Sequence, residues 1–193
     1  MRRRMLSLYV IYDMKSTVKI TVCGVISALA VVLMLGTNIP IMLYTVPALT
    51  GLLFLVPAIE LSPKWAFLCF GITAVLSVIL PTEREALIMF VGLFGYYPTV
   101  KLLIERLKTR ILGMLIKFSV FNVAVTGCFW VTFELLGVNI FQTEKLSLGV
   151  MIAVVYITGN LAFVIFDFAL TRILNAYFLK WRKPVRKALG IKD

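Results

Sequence analysis

The chain has 193 residues, 61% hydrophobic and only 15% charged, with 20 basic against 9 acidic side chains and a net charge of +11. A soluble domain carries about 25% charged residues, so there is too little charge here to build a water-facing surface, and lipid must cover much of it. The basic residues sit between apolar runs, as on the inner side of a membrane protein, which argues against nucleic acid as a partner.

Residues 1–13 begin with Arg2, Arg3 and Arg4, but the apolar stretch that follows is short and ends in Asp13 and Lys15. With no small-residue cleavage site, this reads as a basic N-terminal extension rather than a signal peptide, and Met14 makes a second natural beginning. Residues 14–178 read as an all-α, six-helix transmembrane domain. A helix needs about 20 residues to cross about 30 Å of hydrocarbon. Runs at 18–35, 87–104, 118–136 and 148–170 are of that order. The region 44–80 is too long for one span and barely long enough for two. Its centre holds Pro57, Glu60, Pro63 and Lys64, which break a helix or seek water, so a tight hairpin between helices at 45–59 and 65–80 is expected.

Charge tests that count. With six spans and both termini cytoplasmic, every basic residue except Arg84 and Lys145 lies inside. Five spans would put Lys101, Arg106, Lys108, Arg110 and Lys117 outside, against the positive-inside bias. The outer side is then acidic, with Glu83, Glu85, Glu134 and Glu144. Residues 179–193 form a basic cytoplasmic tail, either an anchor on anionic lipid or a docking element for a partner. The stretch from Lys101 to Arg110 reads as a basic amphipathic helix at the inner surface.

Polar residues within spans carry the functional information, because lipid penalises them unless they pair or face a cavity. In the sixth span Ala153, Tyr156, Asn160, Phe163 and Asp167 share one face. Asp167 is a buried charge that Lys101, Lys117 or Arg172 could neutralise. In the fifth span Asn122, Thr126, Trp130 and Glu134 recur every four residues. Trp130 beside Glu134 suits a polar, partly aromatic solute; the alternative is an interfacial tryptophan and a solvated glutamate. The fourth span contains Gly92, Gly95, Tyr96, Tyr97 and Pro98, which predicts a kink and close helix approach. Gly24 and Ala28 in the first span form a small-xxx-small pair that lets another helix, of this chain or of another protein, come close.

Histidine is absent, which removes imidazole metal ligands and histidine-based catalysis. Cys23, Cys69 and Cys128 lie far apart in apolar runs and read as packing residues. The sequence has no Walker A, HExxH or GxSxG pattern and no acidic metal cluster. No catalytic residue, metal or cofactor is therefore expected, and any ATP hydrolysis belongs to partner subunits.

A chain of this length and layout, whose first span opens MKSTVKITVCGVISALAVVL, resembles the S components of energy-coupling factor (ECF) transporters. The resemblance covers most of residues 14–178, and Gly24 and Ala28 stand at the family's Ala-xxx-Ala positions, with glycine at the first. It implies a multi-pass protein of a prokaryotic plasma membrane that captures a vitamin or related organic micronutrient on the outside. The partners implied are a transmembrane T subunit, which Gly24 and Ala28 would face, and two cytoplasmic ATPases. It further implies a solute site at Asn38, Tyr44, Trp130, Glu134, Tyr156 and Asn160, with Glu83, Arg84 and Glu85 near its mouth. A membrane scaffold protein and a stand-alone secondary transporter, with Asp167 or Glu134 as its ion site, are the competing readings.

Overall fold

In a computed structural model the described residues are 16–80, 82–107, 109–136 and 148–188, and all regular structure among them is helical. The basic extension 1–13, Lys108, Glu144, Lys145 and the tail end 189–193 lie outside the described residues. Among the described residues, four stretches are long and apolar enough to cross a bilayer: Ser16–Asn38, Arg84–Ile104, Ile111–Thr132 and Ala153–Ala188. Thr45–Glu60 and Pro63–Ile79 are apolar but shorter. The 17 residues of Pro63–Ile79 rise about 26 Å, slightly less than a typical hydrocarbon core.

Helix α1 (Ser16–Leu35) turns Cys23, Ser27, Ala30 and Met34 inward. After two tight turns, Gly36–Asn38 and Pro40–Met42, the chain continues as α2 (Thr45–Leu53) and α3 (Leu55–Glu60), which bend at the fully buried Phe54. The hairpin predicted around residue 60 is present. The amides of Leu61 and Ser62 both donate to the carbonyl of Pro57, and Pro63 opens α4 (Pro63–Ile79), where a missing N–H costs nothing. Helices α1 and α4 then pack side by side through small residues: Ser27 Oγ donates to the Cys69 carbonyl at 3.5 Å, and the Cys23 and Cys69 thiols point at the Trp65 and Cys23 carbonyls at 3.8 Å.

The fourth apolar stretch is broken, as its proline and glycines predict. Helix α5 (Arg84–Met89) loosens into a wide turn, Phe90–Phe94, closed by a Gly95 amide that reaches back to the Phe90 carbonyl at 2.8 Å. Helix α6 (Tyr97–Ile104) restarts with Pro98 in its first turn. Pro98 has no N–H for the Phe94 carbonyl, and that oxygen instead lies against Gly51 of α2, where a Cβ would overlap it. Gly92 meets the Cys128 thiol in the same way.

The two longest helices complete the bundle: α7 (Arg110–Leu136) and α8 (Leu148–Ala176). Both leave rows of large apolar side chains outside, such as Val123, Ile157 and Leu161, as lipid-facing helices do. Inside, Phe163 is stacked on Phe121 with ring centres 4.4 Å apart and meets Tyr97 and Phe118 edge-on. Such pairs add about 0.5–1.5 kcal/mol each beyond simple burial.

Two sequence expectations need correction here. The segment from Lys101 to Arg110 is not a surface helix: α6 ends at Ile104, Lys101 is fully buried, and α7 begins at Arg110 rather than near Phe118. In the basic tail, residues 179–188 continue the last helix, as α8 runs through a wide turn, Tyr177–Trp181, into α9 (Arg182–Ala188). Glu60, expected at a wet hairpin, is buried, because α9 supplies its counter-charges.

Candidate functional site

The innermost polar cluster joins α6, α7 and α8. Lys101 Nζ donates to Asp167 Oδ1 at 2.5 Å, to the Asp167 carbonyl and Thr171 Oγ1 at 2.8 Å each, and lies 3.1 Å from Glu105 Oε1. Lys117 bridges the same two carboxylates, 2.9 Å from Glu105 and 3.1 Å from Asp167 Oδ2. Tyr97 OH donates to Asp167 Oδ1 at 2.6 Å. Two ammonium groups thus alternate with two carboxylates, so a formally neutral group of four sits where any one charge alone would be costly. Of the three cations considered for Asp167, Lys101 and Lys117 reach it, whereas Arg172 lies over the Phe168 ring at 4.8 Å.

Higher along the same face, α7 and α8 meet through a neutral ladder. Asn122 and Asn160 exchange amide hydrogen bonds, both 3.1 Å, and each Nδ2 also donates to its own helix, to the Phe118 and Tyr156 carbonyls respectively. Thr126 Oγ1 spends its proton on the Asn122 carbonyl at 2.7 Å, so the 2.6 Å contact with Tyr156 OH has the tyrosine as donor. All donors of these four side chains are therefore engaged, and what remains is acceptor capacity on two amide oxygens and the phenolic oxygen. Asn122, Tyr156 and Asn160 are half-buried and Thr126 is exposed, so this edge is reachable.

The expected solute residues fall into two groups. Tyr156 and Asn160 belong to the ladder, and the sequence row of α7 that contained Asn122 and Thr126 supplies their partners. Asn38, Tyr44, Trp130 and Glu134 are exposed, with Trp130 at 68%. Asn38 Nδ2 donates to the Leu35 carbonyl at 3.1 Å, while the neighbouring Thr37 is fully buried and accepts the Glu83 amide at 3.4 Å. The first loop is thereby fastened to the start of α5. Among the described residues no group of histidine, cysteine, aspartate and glutamate has the arrangement of a metal site.

Gly24 and Ala28 are exposed on α1, about a quarter-turn around from Cys23 and Ser27, which pack on α4. A Cβ on Gly24 would meet nothing within 4 Å. Among the described residues, then, no other helix closes on Gly24, and Ala28 is exposed.

Sequence reasoning undervalued one cluster. Glu60 receives hydrogen bonds from Tyr177 OH at 3.2 Å and Arg182 Nε at 3.1 Å, with Arg186 Nε 3.7 Å from its other oxygen. The available signal was the i, i+4 spacing of Arg182 and Arg186, which puts two guanidinium groups on one face.

Comparison of the chain with protein-family models, with curated proteins and with solved structures gives no match. The reading of the site therefore rests on its own chemistry.

Proposed function

We propose that this chain is the substrate-capturing membrane subunit, or S component, of an ECF-type importer for a vitamin or related organic micronutrient. In this reading it crosses a prokaryotic plasma membrane six times, the two shorter apolar helices completing the four long ones, with both ends in the cytoplasm. The observation that carries it is the open side of α1. Glycine in a helix interior is about 1 kcal/mol less favourable than alanine, and among the described residues no packing contact requires it at residue 24. A smooth Gly24–Ala28 surface in an otherwise bulky apolar helix suits close approach by a helix of another subunit.

The ladder supports the solute half of the reading. Its free acceptors on Asn122, Tyr156 and Asn160 favour a neutral organic solute that brings its own N–H or O–H donors. The absence of imidazole makes a transition-metal cargo a poor fit. A stand-alone carrier would use Asp167 or Glu134 as its ion site; Asp167 is already held by two lysines, which leaves Glu134, exposed near the end of α7, as that reading's candidate. The experiment is to purify the tagged chain in mild detergent from cells that also express a T subunit and two ATPases. A stable complex of all four supports the proposal, and a well-folded chain that emerges alone with several compatible modules argues for the carrier or the scaffold.

A further inference from the structure

The continuation of α8 into α9 divides the basic residues at the C-terminal end into two sets with different surroundings. Arg182 and Arg186 turn inward, their side chains only 12% and 15% exposed, and close on the buried carboxylate of Glu60. Lys180, Lys183 and Lys187 are exposed. Lys183 and Lys187, four residues apart in α9, share a face of that helix, and Lys180 precedes them in the wide turn. The same segment also exposes two large apolar side chains, Leu179 at 85% and Trp181 at 60%.

Position matters as much as charge. Glu60 ends α3, at the turn that leads into α4, so the contact with Arg182 holds α9 at the level where apolar helices end. The wide turn at Tyr177–Trp181 interrupts regular helix just before α9. Three exposed ammonium groups with an exposed tryptophan and leucine in the same short segment, held at that depth, have the composition of a surface that meets lipid headgroups and the adjoining acyl chains.

We propose that the exposed side chains of this segment, Lys180, Lys183 and Lys187 with Leu179 and Trp181, bind anionic phospholipid headgroups, and that the Glu60–Arg182–Arg186 contact holds the segment in place. Charge complementarity selects the phosphate-rich surface of an anionic leaflet. Trp181 and Leu179 select lipid over an acidic soluble protein, because their apolar area is satisfied by insertion beside the headgroups. The arginines are committed internally and the lysines externally.

The test uses the full chain in an uncharged detergent, with dioleoyl phosphatidylglycerol or dioleoyl phosphatidylcholine added in parallel. Thermal unfolding and the number of lipids retained in native mass spectrometry are read out. Phosphatidylglycerol should raise Tm by several degrees more than phosphatidylcholine and be retained preferentially. Lys180→Gln/Lys183→Gln/Lys187→Gln should weaken that preference by roughly fivefold per charge removed. Because a triple variant can lose stability of itself, Lys180→Arg/Lys183→Arg/Lys187→Arg serves beside it and should keep the preference. Equal responses to the two lipids, or a glutamine variant that keeps the full difference, would overturn the proposal. Stabilisation by polyglutamate through the same lysines, without a response to phosphatidylglycerol, would overturn it in favour of an acidic protein partner.

Discussion

Lys101 donates to both the carboxylate and the main-chain carbonyl of Asp167, at 2.5 and 2.8 Å, from a position with no solvent exposure at all. The pair ties α6 to α8, and Lys117 brings in α7. Removing one partner would leave an uncompensated charge inside the bundle, at a cost of about 3–5 kcal/mol. Lys101→Met should therefore lower thermal stability severely, and Lys101→Met combined with Asp167→Leu should lower it by less than the sum of the two single changes. Melting curves for the four proteins of that cycle check the coupling. Strict additivity would mean the contact carries no energy of its own.

Gly51 predicts a different failure. A methyl group there would overlap the Phe94 carbonyl, which is backbone and cannot swing aside. Gly51→Ala should cost about 1–3 kcal/mol, in the range of overpacked cores. Gly127→Ala, on an exposed part of α7 with nothing within 4 Å, should be neutral or gain up to about 1 kcal/mol from helix propensity. The two variants differ only in position, so similar melting temperatures would contradict the packing described for Gly51.

The ladder should matter more to solute than to folding. Tyr156→Phe removes one hydrogen bond to Thr126, and hydrogen bonds between membrane helices average roughly 0.6 kcal/mol. The expected result is a nearly unchanged melting temperature together with loss of most of the stabilisation given by whichever member of a vitamin panel protects the native chain. Isothermal titration with that compound gives the affinity directly. Unchanged affinity would move the solute away from Tyr156.

Glu60 anchors the C-terminal helix through direct contact with both of its arginines. In Glu60→Ala the side chains of Arg182 and Arg186 lose their shared acceptor, and α9 should open more often. Limited trypsin digestion, followed by mass spectrometry, should show cleavage between residues 180 and 187 several-fold faster than in the native chain. An equal rate would show that α9 is held by something else.

How much of this was readable beforehand depends on the range of the interaction. Apolar run length and the prolines fixed the helices and the hairpin, because both act within a few residues. The Tyr156–Asn160–Asp167 face was legible from helical periodicity, and cations at Lys101 and Lys117 were open candidates for Asp167 because lipid demands a counter-charge. The fate of Lys101–Arg110 was not legible. A basic amphipathic pattern looks the same whether its lysines point at water or at a carboxylate on another helix. Glu60 was misjudged for the same reason: its partners lie more than a hundred residues away, at Tyr177 and Arg182. The side of α1 that Gly24 and Ala28 occupy also needed tertiary information, since small residues serve internal and external contacts alike.

The central claim is that α1 offers this pair to a second membrane subunit. Its most direct test is recovery of the T subunit and both ATPases on the tagged chain, compared between the native sequence, Gly24→Leu/Ala28→Leu, and Gly127→Leu. Gly127 is as open as Gly24 but lies on α7, so it reports the effect of added bulk elsewhere. The account predicts a stable complex with the native chain and with Gly127→Leu, and at least tenfold less partner recovered with the double variant at equal amounts of folded chain. Undiminished recovery with leucine at both positions, or no recovery with any compatible module, would contradict it.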